Sequence, residues 1–463
     1  MMRQCRPLLL LFSSLLLLAC SSTSQVDEKL TKPPLPDNWH ESTTALAVEN
    51  NWFAQLDNPQ IQQLVQKALT SNHQFAMQAF DLEIAEQQLV VSGSELWPEL
   101  DLDFSSGRNK DTGPTVYENG SSINLNLSYE LDIWGKLSDA DRVSNFNYLA
   151  QKASFEQYKQ QLVVNVVTTW FKVIEAEKLL SLYRSRVETS QQNLTIIEAG
   201  YHAGLIEALD VYLNRNELNT ELTRVSDQIR EKTQLIRQLE RLVGEYPKGA
   251  LLVDANLPLL TSNIPVGLPS ELISRKPELK ASWYQLLAQD AGLAYAHKQR
   301  FPSIVLSGSI GDSTTDIGDL LSTSLAWSLL GSISAPIFNA GRLKANEEKA
   351  RLTLKQGEQL YLDTLYEAFS DVENAITTEK SLKQSYKTML TAQENAEIAA
   401  TLSFEQYQSG LVTYTTVLDA QTRHFESQAT LIQIKNELIA NRINLHFSLG
   451  GDFSTPSLEN ERK

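Results

Sequence analysis

The chain has 463 residues, 42% hydrophobic and 21% charged, which supplies a large core and excludes a disordered polypeptide. Its formal charge of −16 excludes a nucleic-acid binder working through a basic face, and its two cysteines, Cys5 and Cys20, exclude a disulfide framework. Glycine (20) and proline (15) are both scarce, which favours long uninterrupted helices.

The N-terminus carries a targeting pattern. Arg3 and Arg6 precede an apolar run from Leu8 to Leu18, too short to span a bilayer as a helix. Residues 1–19 are therefore expected to be a signal peptide. The run ends in Leu17-Leu18-Ala19-Cys20, which resembles the bacterial lipobox, where the cysteine is lipidated. An ordinary secretory cleavage site beside an unrelated cysteine is the competing reading. Ser21 and Ser22 follow, with no aspartate, and the resemblance to bacterial lipoproteins then implies the outer membrane. Residues 20–52, with Pro33-Pro34-Leu35-Pro36, are expected to form a lipidated tether.

Beyond the tether the chain repeats itself. Trp97-Pro98 matches Phe301-Pro302 at an offset of 204, as Phe75, Phe80 and Leu89 match Leu279, Tyr284 and Leu293. Gly135-Lys136-Leu137 matches Gly341-Arg342-Leu343 at 206, as Tyr201, Gly204 and Leu205 match Tyr407, Gly410 and Leu411. This order predicts two repeats, at 53–246 and 275–449. A linker over 247–274 joins them and a tail covers 450–463.

Each repeat is expected to run helix, two strands, then a helical hairpin. In the first, Asn58 is a good N-cap, Pro59 suits the first helical position, and the helix should continue to about Ser94. Leu100, Leu102 and Phe104 alternate with Asp101 and Asp103. From Ser122 to Ile133 every odd residue is apolar and every even one polar, which places one face in an apolar phase and one in water. Asn119-Gly120, between these runs, reads as the hairpin turn. In the second repeat Ile304, Leu306 and Ile310 form one apolar side. Leu325, Trp327, Leu329 and Ile333 form the other, with Leu330 breaking the polar side. Strands of about 10 residues match a tilted bilayer-crossing strand. Four strands cannot close a membrane barrel, which begins at eight; three copies would supply twelve. A soluble β-sandwich is the alternative from the strands alone.

No proline lies between Pro114 and Pro247 or between Pro336 and Pro456. Leu137 to His202 and Leu343 to Gln408 can each run unbroken for 66 residues, about 100 Å of helix. Val166, Val173, Leu180, Val187, Leu194 and Tyr201 recur every seven residues, with Leu162, Thr169, Ala176, Tyr183, Ser190 and Ile197 as a second seam. Leu222, Ile229, Ile236 and Val243 continue in sevens on the returning helix. Such heptads indicate antiparallel coiled-coil hairpins with tips near Gly204 and Gly410. A solid spacer or adhesin stalk has the same periodicity. No phosphate-loop, zinc-protease or paired-cysteine pattern occurs, the six histidines are scattered, and the four methionines do not cluster. Neither enzymatic activity nor a bound cofactor is expected.

With these elements in order, the chain resembles the TolC-like outer-membrane factor family, in particular its lipoprotein (OprM/NodT-like) branch. The resemblance covers residues 50–450. It is carried by Tyr129 to Leu137, Leu268-Pro269-Ser270, Arg275-Lys276-Pro277-Glu278, Phe301-Pro302-Ser303-Ile304, Pro336 to Leu343, and by Tyr407, Gly410 and Val417 to Gln421. It implies an α+β membrane protein with four transmembrane strands per chain. A homotrimer then builds a twelve-stranded barrel in outer-membrane lipid, continued by a helical tunnel in the periplasm. It also implies a periplasmic adaptor (membrane fusion) protein and an inner-membrane pump, expected to be proton-driven, as partners. The expected function is passive exit of drugs or other small molecules. Protein secretion or heavy-metal export on the same fold, or a non-channel coiled-coil lipoprotein, are the alternatives.

The resemblance also assigns residues. Cys20 is the lipidation position. Asp210 and Asp419 match acidic, lumen-facing positions of the periplasmic entrance, and Tyr407 matches a tyrosine that latches the closed tips. Thr416 and Val412 stand where an acid and an arginine are common in TolC itself, which implies closure by packing. Gly204-Leu205 and Gly410-Leu411 resemble the tips that contact the adaptor, although turn formation alone also accounts for both glycines.

Overall fold

The computed structural model describes residues 36–40, 58–110, 117–253, 256–258, 266–322 and 324–451. The expected signal peptide, Cys20 and most of the expected tether lie outside the described residues, as does the tail after Gly451. The first half contains α1 (Pro59–Ser71), α2 (His73–Ser94), β1 (Glu99–Lys110), β2 (Tyr117–Glu130), α3 (Lys136–His202) and α4 (Ala208–Leu242). The second contains α5 (Pro269–Arg275), α6 (Pro277–Lys298), β3 (Ser303–Thr314), β4 (Ala326–Ser334), α7 (Arg342–Gln408) and α8 (Tyr414–Ser448). Lengths repeat as well as order. The helices α2 and α6 have 22 residues each, α3 and α7 have 67, and α4 and α8 have 35.

Two local expectations are corrected. The first helix does not run unbroken from Pro59 to Ser94, because Asn72 leaves helical geometry at ψ 123°. Its side chain caps α2 by accepting from Phe75 N at 2.8 Å and donates to the Leu242 carbonyl at 2.9 Å. These two bonds replace the helical ladder that would have continued. Asn119-Gly120 is not the hairpin turn. Both residues lie inside β2, paired with Arg108 and Gly107 of β1. Cross-strand pairing extends to Lys110 and Tyr117, and that ladder wins over the local turn preference.

The structure divides into two compact units, each drawing on both halves of the chain. The first comprises, among described residues, 80–154 and 278–364. Its four strands form one antiparallel sheet in the order β1-β2-β3-β4. Chain direction at the sheet's lower end is fixed by Asp132, which accepts from Leu137 N and Ser138 N at 2.9 Å each and so caps α3. Gly135, at φ 71°, makes the turn before that helix. Leu286 and Leu293 of α6 pack on Leu354 and Tyr361 of α7. Lys298 bridges to buried Asp139 at 2.5 Å.

The second unit comprises 36–40, 58–79, most of 155–277 and 365–451. Its core joins Ile61 and Val65 of α1, Val166, Trp170 and Ile174 of α3, Leu239 of α4, and Ile439 and Ile443 of α8. The heptads explain this core: Val166, Val173 and Leu180 are all buried. The seam on α4 behaves differently, since Ile236 is buried while Leu222 and Ile229 are exposed. Near the N-terminus the Trp39 indole donates to the Val266 and Gly267 carbonyls, 3.2 Å each, and its ring meets Phe369 edge-on.

Candidate functional site

Two surfaces carry functional chemistry: the sheet in the first unit and the hairpin tips in the second. Strand register sorts the sheet's side chains. Leu100, Leu102 and Phe104 lie opposite Leu127, Leu125 and Ile123; Tyr129 lies opposite Leu306, Leu125 opposite Ile310, and Ile310 opposite Trp327. These residues form one apolar face, and Leu102 (67%) and Trp327 (75%) are largely exposed on it. The other face is polar apart from Val305 and Leu330. Asn126 donates to Asp103 at 2.6 Å, and Ser105 pairs with Ser122 (2.9 Å) and Ser309 with Ser328 (2.8 Å). A soluble sheet buries its apolar face and wets its polar one; a membrane barrel turns the apolar face to lipid and the polar face to its lumen. Among the described residues no helix is long and apolar enough to cross a membrane.

The tips are built by backbone chemistry. At the end of α3, Gly204 N donates to Tyr201 O (3.0 Å) and Leu205 N to Gly200 O (2.9 Å). At the end of α7, Gly410 N donates to Tyr407 O (2.9 Å) and Leu411 N to Gln406 O (2.9 Å). Both are Schellman closures, with the glycines at φ 75° and 73°. The turns project Leu205 (83% exposed) and Leu411 (74%).

Beside the tips, Leu194, Ile197, Val211, Tyr414 and Val417 form a buried cluster flanked by Tyr407. The Tyr407 hydroxyl donates to Asp210 Oδ2 at 2.8 Å. Burial, and then the Asp210 carboxylate, push the Tyr407 phenol well above its ordinary range, so it keeps its proton as a donor. Asn214 donates to the Tyr414 hydroxyl, and burial raises that phenol to about 12. The structure thus joins Asp210 to Tyr407. It does not bring Asp419 or Thr416 into that contact: Asp419 is exposed and pairs with Arg423 at 3.0 Å, and Thr416 meets Thr413 at 3.3 Å.

A second polar group behind the tip was not singled out in the sequence. Buried Arg186 of α3 reaches Glu217 (2.6 Å) and Glu221 (2.9 Å) of α4 and Thr422 Oγ1 (3.3 Å) of α8, with its guanidinium 5.0 Å from the Phe425 ring centre. Glu221 is fully buried; desolvation raises its pKa against the pull of Arg186. The only sequence signal was Glu217 and Glu221 at helical spacing on a face also bearing Asn214 and Gln228.

The profile of the family described as "Outer membrane efflux protein" matches residues 64–245 and 268–451. The chain belongs to this family. The two matched segments cover both halves, and the family's members are outer-membrane channel proteins. This chain is accordingly an exit channel of the outer membrane, extending into the periplasm. Curated relatives include the probable outer membrane lipoprotein SilC of Salmonella typhimurium, 27% identical over 96% of this chain and 98% of that protein. The solvent efflux pump outer membrane protein SrpC of Pseudomonas putida is 28% identical over 89% of this chain and 88% of its own length. The solved structure of CusC superimposes with a TM-score of 0.81 at 26% identity, covering 90% of this chain and 98% of that one.

Proposed function

We propose that three copies of this chain form one barrel and one tunnel, working with a periplasmic adaptor and a proton-driven inner-membrane pump. The observation that carries this is the open sheet. β1 and β4 are edge strands, and an unpaired edge in hydrocarbon leaves backbone donors and acceptors unsatisfied. Pairing β4 of one copy with β1 of the next removes every edge, and three copies reach twelve strands, above the minimum for a barrel.

Helix exposure supports the same assembly. On α2, Met77, Phe80 and Ile84 are all at least 60% exposed. Their repeat counterparts on α6, Ala281, Tyr284 and Ala288, are covered or partly covered. The first stripe requires a partner that the second already has inside the chain. Cargo then moves passively, and energy comes from the pump. Relatives named for solvent efflux and for cation efflux make cargo choice a property of the pump in this reading. Cys20 is the assigned lipid anchor. Leu205 and Leu411 are the assigned adaptor contacts, and Asp210, Tyr407, Asp419 and Thr416 the assigned entrance residues. Electron microscopy of the detergent-purified protein, with its oligomeric mass, tests the assembly. A hollow threefold particle is expected; a monomer or solid rod overturns it.

A further inference from the structure

We infer that the β1–β2 hairpin end bears a docking surface for phosphate-carrying lipid headgroups in the outer leaflet. The inference rests on the reading above that this sheet crosses the bilayer. Along its apolar face β1 places Leu100, Leu102, Phe104, Ser106, Arg108 and Lys110. Three hydrocarbon side chains are followed by one hydroxyl and two cations. These cations stand at the hairpin end of the strands, whereas α2 and α3 join the opposite end, at Glu99 and Glu130.

Charge on the strands is sorted by face. Arg108 and Lys110 are the only basic residues in the four strands, and register puts both on the apolar side. Glu99, Asp101, Asp103, Glu118 and Glu130 all fall on the polar side. The one acid on the apolar side, Asp312, is buried and accepts from Leu321 N at 2.9 Å. Cations turned outward while acids turn inward fit an anionic surface outside the barrel.

The cations are also positioned. Arg108 Cζ lies 4.3 Å from the centre of the Tyr117 ring and Lys110 Nζ 5.9 Å from it, so one aromatic ring lies within reach of both heads. Same-face residues are about 6.8 Å apart, which sets Arg108 about 14 Å beyond Phe104 along the strand. At a tilt near 45° that is about 10 Å of height, and long basic side chains reach back toward the headgroup layer. Tyrosine with arginine and lysine at the end of an apolar band is the composition of a membrane interface.

The test uses the full-length protein in nanodiscs containing either bisphosphorylated lipid A or the same lipid dephosphorylated. Lipid retained by the protein is counted by native mass spectrometry. Attraction per basic residue near an anionic surface corresponds to roughly fivefold, so the wild type should prefer the phosphorylated lipid by about thirtyfold. The exchange variant Arg108→Lys with Lys110→Arg should keep the preference. Arg108→Ser with Lys110→Ser should bring it near unity while single-channel conductance persists. An unchanged preference in the serine variant, or none in the wild type, overturns the inference. Loss of the oligomer in the serine variant alone also overturns it, and would assign the cations to Asp316 and Asp319 of a neighbouring copy. Absence of any wild-type conductance would instead count against the channel reading itself.

Discussion

The hairpins α3/α4 and α7/α8 have the same helix lengths and the same tip geometry, yet they are fastened differently. In the first, Arg186 sits buried between Glu217 and Glu221. At an offset of 206 the second places Ala392, Arg423 and Ser427 there, and Arg423 is exposed, paired to Asp419 one turn away on its own helix. The first hairpin carries half-buried Glu175; the second has Ser381 in its place. Asp210, which holds Tyr407, has Thr416 as its counterpart, and Tyr201 stands in for Tyr407. Repetition has thus kept what the backbone dictates and released what side-chain partners dictate. Two hairpins of equal shape are fastened by different pairs, α3/α4 by buried Arg186 with Glu217 and Glu221 and α7/α8 by buried Arg442 with Glu379.

The largest expected effect tests that asymmetry. Arg186→Ala strands Glu221 in a buried site and should cost about 3–5 kcal/mol, read as a fall in the thermal midpoint. Arg423→Ala should change it by less than about 0.5 kcal/mol. Equal losses would erase the distinction. The glycines should show the opposite pattern. Both adopt positive φ with open space around them, so Gly204→Ala and Gly410→Ala should each cost about 1–2 kcal/mol from the backbone alone. Markedly unequal costs would mean that tip geometry is not shared.

Tyr407→Phe removes the donor to Asp210 and should lower stability by about 1 kcal/mol, with raised basal conductance in planar bilayers. Tyr201→Phe should leave both unchanged. The effect of Glu175 depends on pH. Burial raises its pKa from 4.5 to about 7, against the bond from Asn436 Nδ2 (2.6 Å) and the charge of Lys172, with Glu231 and Glu437 adding to the rise. Folding therefore retains a proton that the unfolded chain releases near 4.5. The resulting stability is complete below that pH and is lost as pH rises through about 7. Thermal midpoints measured from pH 5 to 8 should fall in the wild type and flatten in Glu175→Gln.

Much of this architecture was legible where local chemistry is strict. The long helices begin one residue before the expected Leu137 and Leu343 and end at His202 and Gln408 as expected, because glycines at 135, 204, 341 and 410 bracket uninterrupted heptads. Strand faces followed from period-two alternation. The break at Asn72 was hidden because its second partner, the Leu242 carbonyl, lies 170 residues away. The Asn119-Gly120 signal misled because a turn preference is weaker than a ladder of paired strands. Beside the hairpin tips, Tyr407 and Asp210 came from resemblance, but the Arg186 group did not. Its contacts with Glu217 and Thr422 span 31 and 236 positions, and no periodicity reports a contact of that kind.

The order β1-β2-β3-β4 has a consequence in parity. With four alternating strands, β4 of one copy runs antiparallel to β1 of the next whatever the size of the ring. Two, three or four copies would satisfy the same hydrogen-bond polarity without a seam. In the proposed ring, strand pairing closes the circle but does not count its members, and the counting there is left to helix faces such as the one bearing Met77, Phe80 and Ile84.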